Sequence, residues 1–245
     1  MDSKQNKPLV SIGIPTYNNP EGLRRTLQSV ANQTYKEIEV IVSDNCSPGE
    51  ETQKVIQEFT ERKFTFQHYR QSENKGATFN FKFLLKKATG KYFVWAADDD
   101  EWDNTFIETG VKSLLENDFF QAWFCSYDVV DMSGRLFMKI SNYPSLTSTP
   151  DRRKNIIRYL RASDIPGKSC MIYAIYERSA LIDATERYPT WGCESAINIA
   201  FLIKYNILIT EEILYHKTIK TRRKKSLIDQ KEEFVPFKGN PPIEE

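Results

Sequence analysis

Several features that would narrow the function are scarce in this sequence of 245 residues. The four cysteines, Cys46, Cys125, Cys170 and Cys193, form no C-x-x-C pair and have no histidine at zinc-binding spacing. A disulfide framework or a structural zinc site is therefore not expected. The 34 lysines and arginines nearly cancel the 33 aspartates and glutamates. This balance excludes the overall basic excess that is typical of nucleic-acid-binding domains.

Long hydrophobic runs are also missing. No apolar stretch approaches the roughly 18 residues that a membrane-spanning helix needs. The first residues, MDSKQNKP, lack the hydrophobic core of a secretory signal. We therefore expect a cytoplasmic protein.

Short apolar runs rich in β-branched residues alternate with amphipathic helical patterns in the first half of the chain. The helix after the first run is expected to begin at Pro20, with Asn19 as its cap. Regular alternation of strand and helix is typical of an α/β fold with a mostly parallel, twisted sheet flanked by helices. Strands are predicted at residues 9–15, 38–43, 64–70 and 92–97.

The pattern changes after about residue 130. Residues 170–177, CMIYAIYE, predict a strand, and residues 194–206 predict a helix that is apolar on nearly every side. No linker separates these elements from the first half. We expect one domain over residues 1–245, with a first half at 8–130, a mixed second half at 131–220 and a basic, then irregular tail at 221–245.

Polar side chains follow three of the predicted strands at the point where each strand ends. Ligands of parallel α/β sheets bind beyond the carboxyl ends of the strands, so these turns are expected to face one crevice. The turns contain Thr16 and Tyr17, Asp44 and Asn45, and Asp98, Asp99 and Asp100.

The acids in the stretch FVWAADDDEW are crowded directly behind a predicted strand. Carboxylates held this close raise one another's pKa and cost stability unless a cation lies between them. Mg²⁺ or Mn²⁺ suits such oxygen ligands, and Mg²⁺ is usually held by one or two carboxylates together with phosphates. The cluster therefore predicts a divalent cation shared with a diphosphate. The alternative is that these acids only favour the N-terminus of the next helix, which requires one or two of them.

Three stretches in order carry a family resemblance. VSIGIPTYNNPEGLRRTLQSVANQTYKEIEVIVSDNCS, NKGATFNF and WAADDDEW resemble the family 2 glycosyltransferases of the GT-A fold over about residues 8–130. The second half resembles, more loosely, the acceptor-binding half of bacterial members that build surface polysaccharides. The resemblance implies an inverting, metal-dependent enzyme, with Mn²⁺ or Mg²⁺ as cofactor. Such an enzyme moves a sugar from a nucleotide-diphosphate donor to a saccharide or lipid-linked acceptor.

The resemblance also implies a donor site. Tyr17 would stack on the base, and Asp44 with Asn45 would recognise it. The family's acidic pair accepts the imide hydrogen of uracil or thymine, which favours a UDP- or dTDP-sugar. Because Asn45 stands where the family has the second acid, and an amide can also donate, a CDP-sugar stays open. The nucleotide-sugar-binding residues implied are Pro15, Thr16, Tyr17, Asp44, Asn45, Lys75, Asn80, Asp98 and Asp99.

Within that site, the acids of the turn after the fourth strand have separate implied roles. Asp98 would approach the ribose, whereas Asp99 and Asp100 would hold the cation. His216 would add a further metal ligand, as a downstream histidine does in some GT-A enzymes. Lys75 suits a phosphate.

A general base must come from the second half. Family members usually place a Glu-Asp pair at the start of the buried helix, where this chain has Glu194 followed by Ser195. Glu194 is therefore the candidate that takes the proton of the acceptor hydroxyl. Asp183 and Glu186 are local alternatives, and Trp191 would offer an apolar platform to the acceptor sugar.

A run of basic residues without an acid begins at His216, in the segment HKTIKTRRKK. Residues 217–225 predict peripheral contact with an anionic membrane surface, at its inner face, which would suit a lipid-linked acceptor. The alternative is a solvated charge run. Nucleic acid is not expected, because no reader motif accompanies the run.

Two other functions stay open. One is a non-catalytic nucleotide-sugar-binding subunit of a polysaccharide synthase complex, which the serine at position 195 would suit. The other is a sugar nucleotidyltransferase. That class usually has a glycine-rich, basic loop after the first strand, and PTYNNPEG is neither.

Overall fold

The structure is a computed structural model that describes residues 7–60, 65–140, 151–162, 168–186 and 194–219. In its first half, strands and helices alternate as predicted. The elements are β1 (Val10–Thr16), α1 (Pro20–Ala31), β2 (Ile38–Asp44), α2 (Glu51–Phe59), β3 (Thr65–Arg70), α3 (Ala77–Lys87) and β4 (Tyr92–Trp95).

The remaining elements are more varied. They are β5 (Glu101–Trp102), α4 (Phe106–Leu115), β6 (Ala122–Asp131), β7 (Leu136–Ile140), α5 (Arg152–Arg161), β8 (Ile175–Glu177), α6 (Arg178–Glu186), α7 (Glu194–Lys204) and β9 (Ile207–Ile219). A single 3-10 turn, Lys168–Tyr173, precedes β8.

The prediction of a strand over residues 170–177 was wrong for most of its length. Cys170 to Tyr173 belong to the 3-10 turn, and only Ile175–Glu177 form a strand. The turn buries Cys170, Met171 and Ile172. A short apolar run does not distinguish a buried strand from a buried helical turn, because both need only apolar side chains.

The described strands form one mixed sheet in the order β3-β2-β1-β4-β8-β6-β9-β5, with β7 beside β6. β1 pairs in parallel with β2 and β4, β2 with β3, and β6 with β9. β8 runs antiparallel between β4 and β6, and β5 runs antiparallel to β9. The predicted mostly parallel sheet is thus confirmed, and β8 joins its two halves.

Both faces of the central strands are covered. β2 and β4 are buried along their whole length, as expected for parallel strands flanked by helices. α3 lies against β1 and β2, and α4 lies against β6. The largest fully buried side chains include Trp95, Trp123, Tyr127, Tyr176 and Phe201. They come from both halves, so the apolar core is continuous across the sheet.

No helix within the described ranges has the length and apolar character needed to cross a membrane.

Candidate functional site

The predicted turns after β1, β2 and β4 meet at one edge of the sheet. The last residue of β1, Thr16, pairs with Asp44 at the end of β2, and its carbonyl accepts a hydrogen bond from the Asn45 amide at 2.9 Å. Its hydroxyl donates to Asp98 at 2.6 Å. One residue thus connects all three turns, so they meet at one edge of the sheet as predicted.

Asp98 is anchored to the first turn. Besides the bond from Thr16, the Asn19 amide donates to the Asp98 main-chain oxygen at 3.0 Å and to its carboxylate at 3.2 Å. Asn19 stands at the N-cap position of α1 as predicted, but its side chain accepts no hydrogen bond from the helix amides and instead donates to Asp98. Burial raises the pKa of Asp98 to about 6, although the bond from Thr16 opposes that shift.

Asp100 faces the protein interior and is only 4% exposed. The Tyr215 hydroxyl donates to one of its oxygens, and the Thr218 amide donates to the other at 2.8 Å. Burial raises the pKa of Asp100 to about 7, and the charge of Asp99 raises it further. These bonds attach the turn that contains Asp98, Asp99 and Asp100, here called the acid turn, to β9.

Asp99 lies between these two anchored acids and is half-buried. In the part of the chain that the structure describes, its carboxylate accepts no hydrogen bond, and its charge raises the pKa of both Asp98 and Asp100. No three His, Cys, Asp or Glu side chains of the described residues are grouped as a self-sufficient metal site. Asp99 nevertheless fits a cation that completes its coordination with phosphate oxygens and water.

Lys217 is a cation beside the acid turn that sequence reasoning missed. Its ammonium lies 3.3 Å from the Cys170 sulfur. Burial acts to lower the pKa of Lys217, but Cys170, Asp100 and Asp99 together raise it above its usual value. The sequence shows this residue only as one of several lysines in a basic run, so no local signal marks it.

His216 is placed with other acids. Its ring nitrogens lie 3.4 Å from an Asp103 oxygen and 4.0 Å from an Asp128 oxygen. β9 sets this position by pairing His216 with Glu101. None of the ion pairs of His216 within the described residues involves Asp99 or Asp100.

Asp44 is fully buried, and both of its oxygens have partners. One oxygen accepts from the Ser47 amide at 2.8 Å and the Ser47 hydroxyl at 2.5 Å, and the other accepts from Gln53 at 2.7 Å. Arg70 lies 3.7 Å from the second oxygen. These partners were not predicted, because nothing in the spacing of Ser47 or Gln53 marks them as carboxylate donors.

Asn45 connects the second turn to the loop before α3. Its side-chain oxygen accepts from the Lys75 amide at 3.0 Å, and its side-chain nitrogen donates to Asn74 at 2.8 Å. The Lys75 ammonium is exposed and lies 5.0 Å from the centre of the Phe79 ring. The amide of Asn45 therefore shapes the loop that presents Lys75.

Three further predicted donor residues border the same edge. Asn80 is buried and donates to the Ser43 carbonyl at 2.8 Å, whereas its side-chain oxygen is buried without a partner among the described residues. Tyr17 is 47% exposed, so its ring is open to a ligand. Pro15 is half-buried in β1.

Glu194 is exposed at the first residue of α7. Burial raises the pKa of Tyr173 well above its usual value, and the charges of Asp100, Glu194 and Asp99 raise it further. These carboxylates therefore lie within electrostatic reach of one phenol, which stacks on Tyr215 with ring centres 5.8 Å apart. Glu194, Asp99 and Asp100 thus act electrostatically on the same phenol.

The other predicted base and acceptor residues of the second half lie in different surroundings. Asp183 is bound by Lys204 and by the Tyr205 hydroxyl, each at 2.6 Å. Glu186 is exposed at the end of α6. Trp191 lies outside the described residues.

The fold is that of the GT-A glycosyltransferases, as two solved structures show. The crystal structure of S. aureus TarS 1-349 in complex with UDP-GlcNAc matches 87% of this chain and 59% of that chain, with a TM-score of 0.68 and 19% identity. The mannosyltransferase PcManGT from Pyrobaculum calidifontis, in complex with GDP-Man and Mn²⁺, matches 89% of this chain and 59% of that chain. Its TM-score is 0.61 and its identity 15%.

The family follows from the sequence. The model of the family described as Glycosyl transferase family 2 matches residues 11–183, so the chain belongs to that family. A curated relative, the putative teichuronic acid biosynthesis glycosyltransferase TuaG of Bacillus subtilis, is 27% identical over 62% of this chain and 59% of its own length. The chain spans only part of the length of its curated relatives: it covers between 27% and 59% of the first three. The family resemblance noted in the sequence is confirmed.

Proposed function

We propose that this protein is a metal-dependent, inverting glycosyltransferase that takes its sugar from a nucleotide-diphosphate donor. The observation that carries the proposal is the carboxylate of Asp99, which has no hydrogen-bond partner among the described residues and is held between two anchored acids at the edge where β1, β2 and β4 end. The acceptor is a saccharide or lipid-linked saccharide of a surface polysaccharide. The name of TuaG, which refers to teichuronic acid, supports that acceptor class.

The donor would bind along the shared edge. The exposed ring of Tyr17 stacks on the base, and the Lys75 ammonium reaches a phosphate from the loop that Asn45 holds. Asn80 borders the same edge, but its side-chain oxygen, which has no partner among the described residues, is buried, so the proposed contact with the ribose requires this side chain to turn towards the donor. The crystal structures of TarS with UDP and with UDP-GlcNAc support a UDP-sugar as the donor. We propose a dTDP-sugar as an equally favoured donor and a CDP-sugar as a less favoured one.

Base recognition would involve Asp44 and Asn45 indirectly. Both oxygens of Asp44 are already hydrogen-bonded by Ser47 and Gln53, so a base must share or displace one of these donors. Asn45 uses its amide to fix the Lys75 loop. We therefore propose that these two residues shape the base pocket.

Mn²⁺ or Mg²⁺ would be held chiefly by Asp99. Asp100 is the second predicted ligand, but Tyr215 and Thr218 already bind its oxygens, and His216 is turned towards Asp103. When bound, the cation would offset negative charge on the departing nucleotide diphosphate. PcManGT, whose structure contains Mn²⁺, supports a divalent ion.

Glu194 would act as the general base. Its carboxylate accepts the proton of the acceptor hydroxyl as that oxygen attacks the anomeric carbon. A single displacement, with the diphosphate leaving from the opposite face, inverts the configuration at that carbon. Trp191, which lies outside the described residues, is retained as the proposed acceptor platform.

The test is Glu194→Gln. We expect sugar transfer or donor hydrolysis to fall by about 10²–10⁴-fold, the usual contribution of general base catalysis. Nucleotide binding in Mn²⁺ should persist, because Glu194 is outside the donor turns. Glu186→Gln, which removes a similar exposed carboxylate from α6, should keep full activity. Unchanged turnover in Glu194→Gln would contradict the assignment of the base.

A second candidate function rests on Ser195. The family's usual second acid is absent there, which would suit a non-catalytic nucleotide-sugar-binding subunit of a synthase complex. If the wild-type protein binds UDP in Mn²⁺ but turns over no donor with any acceptor fraction, this second function replaces the first.

Two wider proposals accompany the reaction. We propose that residues 1–245 form a single domain, which the position of β8 between β4 and β6 in the sheet of the described residues supports. We also propose that the basic segment 217–225 contacts the inner face of a membrane. Residues 217–219 end β9, where the Lys217 ammonium is already held beside Cys170, and the other residues of the segment lie outside the described residues.

A further inference from the structure

Helix α5 exposes two large aliphatic side chains on its outer face. Ile157 is 48% exposed and Leu160 is 56% exposed. The opposite face is fixed to the body of the protein: Tyr159 is fully buried, and its hydroxyl accepts a hydrogen bond from Asn198 of α7 at 3.0 Å. The outward direction of Ile157 and Leu160 is therefore set by packing.

The same outer face is strongly basic. Arg153 precedes Ile157 by four residues, and Arg161 follows it by four, so helical geometry places the three side chains in one row. Both arginines are exposed, and neither has an acidic partner in the described part of the chain. The helix contains five basic residues and no acid: Arg152, Arg153, Lys154, Arg158 and Arg161.

Asp151, the acid that directly precedes α5 in the described part of the chain, is already hydrogen-bonded. Asp151 caps α5 by accepting hydrogen bonds from the amides of Arg153 and Lys154, at 3.1 and 3.4 Å. Its carboxylate also lies 3.8 Å from the Lys154 ammonium. Among the residues that the structure describes, no carboxylate therefore neutralises the arginines on either side of Ile157.

We propose that α5 is a docking surface for a bilayer that contains anionic phospholipid. Interfacial helices combine basic side chains with aliphatic ones that enter the boundary between headgroups and acyl chains. Arginine stems can extend along that boundary while the guanidinium groups bind phosphate oxygens. A nucleic acid or an acidic protein would use the charges but would give no role to Ile157 and Leu160.

Docking through α5 would also set the orientation of the protein relative to the membrane. α5 packs on α7, the helix whose first residue is Glu194. A membrane under α5 would therefore lie beside the half of the molecule that is proposed to bind the acceptor. The surface itself does not depend on the proposed reaction, since its residues lie outside the donor turns.

The test is co-sedimentation of the full chain with vesicles, either of phosphatidylcholine alone or of phosphatidylcholine mixed equally with phosphatidylglycerol. We expect binding to the mixed vesicles and little to the neutral ones. Arg153→Gln with Arg161→Gln, and separately Ile157→Ser with Leu160→Ser, should each weaken binding by about tenfold. Leu115→Ser, which changes a 51% exposed leucine on α4, is the matched control and should bind as the wild type does.

Two results would overturn the proposal. One is that the wild type does not bind mixed vesicles; the other is that the aliphatic pair binds them as tightly as the wild type. In the second case, the basic residues 217–225, intact in every variant, or a polyanion-binding role of the arginines would explain the binding. Unchanged circular dichroism and UDP binding in each variant separate loss of this surface from loss of the fold or of the donor site.

Discussion

Three adjacent aspartates occupy three different environments. Asp98 is held by Thr16 and Asn19, whereas Asp100 is buried against Tyr215 and the amide of Thr218. Asp99 has no such partner within the described residues. The neighbours of Asp99 hold the turn in place, and Asp99 alone has its carboxylate available. The two anchored aspartates therefore hold the carboxylate of Asp99 at the edge of the sheet, where it can bind a cation.

The first prediction concerns this free carboxylate. Asp99→Asn should abolish Mn²⁺-dependent UDP binding, because an amide cannot supply the charge that a divalent cation requires. Isothermal titration with and without Mn²⁺ measures the change. Asp103→Asn removes an acid of the same cluster that lies beside His216, and it should leave binding intact. Equal binding by Asp99→Asn and wild type would exclude Asp99 as a ligand.

The second prediction separates Asp100 from Asp99 by stability. Asp100→Ala leaves the Tyr215 hydroxyl and the Thr218 amide buried without their acceptor, so the free energy of unfolding should fall by about 1–3 kcal/mol or more. Asp99→Ala should change it by less than about 0.5 kcal/mol, because no hydrogen bond is lost. Urea unfolding without added metal measures both. Equal losses would show that the two acids share one structural role.

At the scale of elements, α1 and the acid turn are in close contact. A Cβ atom at Gly22, in the first turn of α1, would lie 2.3 Å from the Asp98 main-chain oxygen and 2.4 Å from the Asn19 amide nitrogen. Such distances are shorter than atomic contact allows, so the backbone would have to move. Glycine at this position lets the helix approach the turn that carries the acids.

The third prediction follows from that contact. Alanine is favoured over glycine inside a helix by about 1 kcal/mol, so Gly22→Ala would stabilise the protein if space were available. Because it is not, we expect the free energy of unfolding to fall by about 1–3 kcal/mol. UDP binding in Mn²⁺ should weaken as the acid turn moves. The exposed neighbour Glu21→Ala is the control, and a more stable Gly22→Ala would contradict the close packing.

The elements that sequence reasoning predicted well depend on local patterns. The strands β1, β2, β3 and β4 were predicted from short apolar runs, and the helices between them from helical periodicity. Both patterns are visible within about ten residues. The parallel-sheet rule then placed the turns of Thr16, Asp44 and Asp98 at one edge, as the structure confirms.

The errors involve contacts between distant parts of the chain. Glu101 and Trp102 form a strand only because β9 lies beside them, and no pattern in two residues could predict it. Asn19 stands at the cap position of α1, yet its side chain makes its hydrogen bonds to Asp98, 79 residues later, and none to the helix amides. In the same way, the partners of Asp100 come from Tyr215 and Thr218, more than a hundred residues later.

At the scale of the whole molecule, the sheet interleaves the two halves of the chain. β8 separates β4 from β6, and β9 separates β6 from β5. The first half by itself would leave β4 and β6 without the neighbour that joins them. The candidate site also combines residues from both halves, because its acid turn comes from the first half and Tyr215 and Lys217 come from the second. Folding and ligand binding should therefore involve both halves together.

The fourth prediction tests this by two probes of unfolding. Three of the four tryptophans, Trp95, Trp102 and Trp123, lie in the first half, so fluorescence reports mainly on that half, whereas far-ultraviolet circular dichroism reports on the whole chain. Ile175→Ala changes β8, in the second half, where Ile175 is fully buried opposite Trp123.

Truncating a buried isoleucine to alanine costs about 2–5 kcal/mol. Because β8 is part of the common sheet, the fluorescence and circular dichroism midpoints should fall together and remain coincident, as in a two-state transition. Ile182→Ala, on the exposed side of α6, should shift both only slightly. If the fluorescence midpoint of Ile175→Ala stayed at the wild-type value while the circular dichroism signal split into two steps, the halves would fold independently. The continuous core would then not unite them energetically.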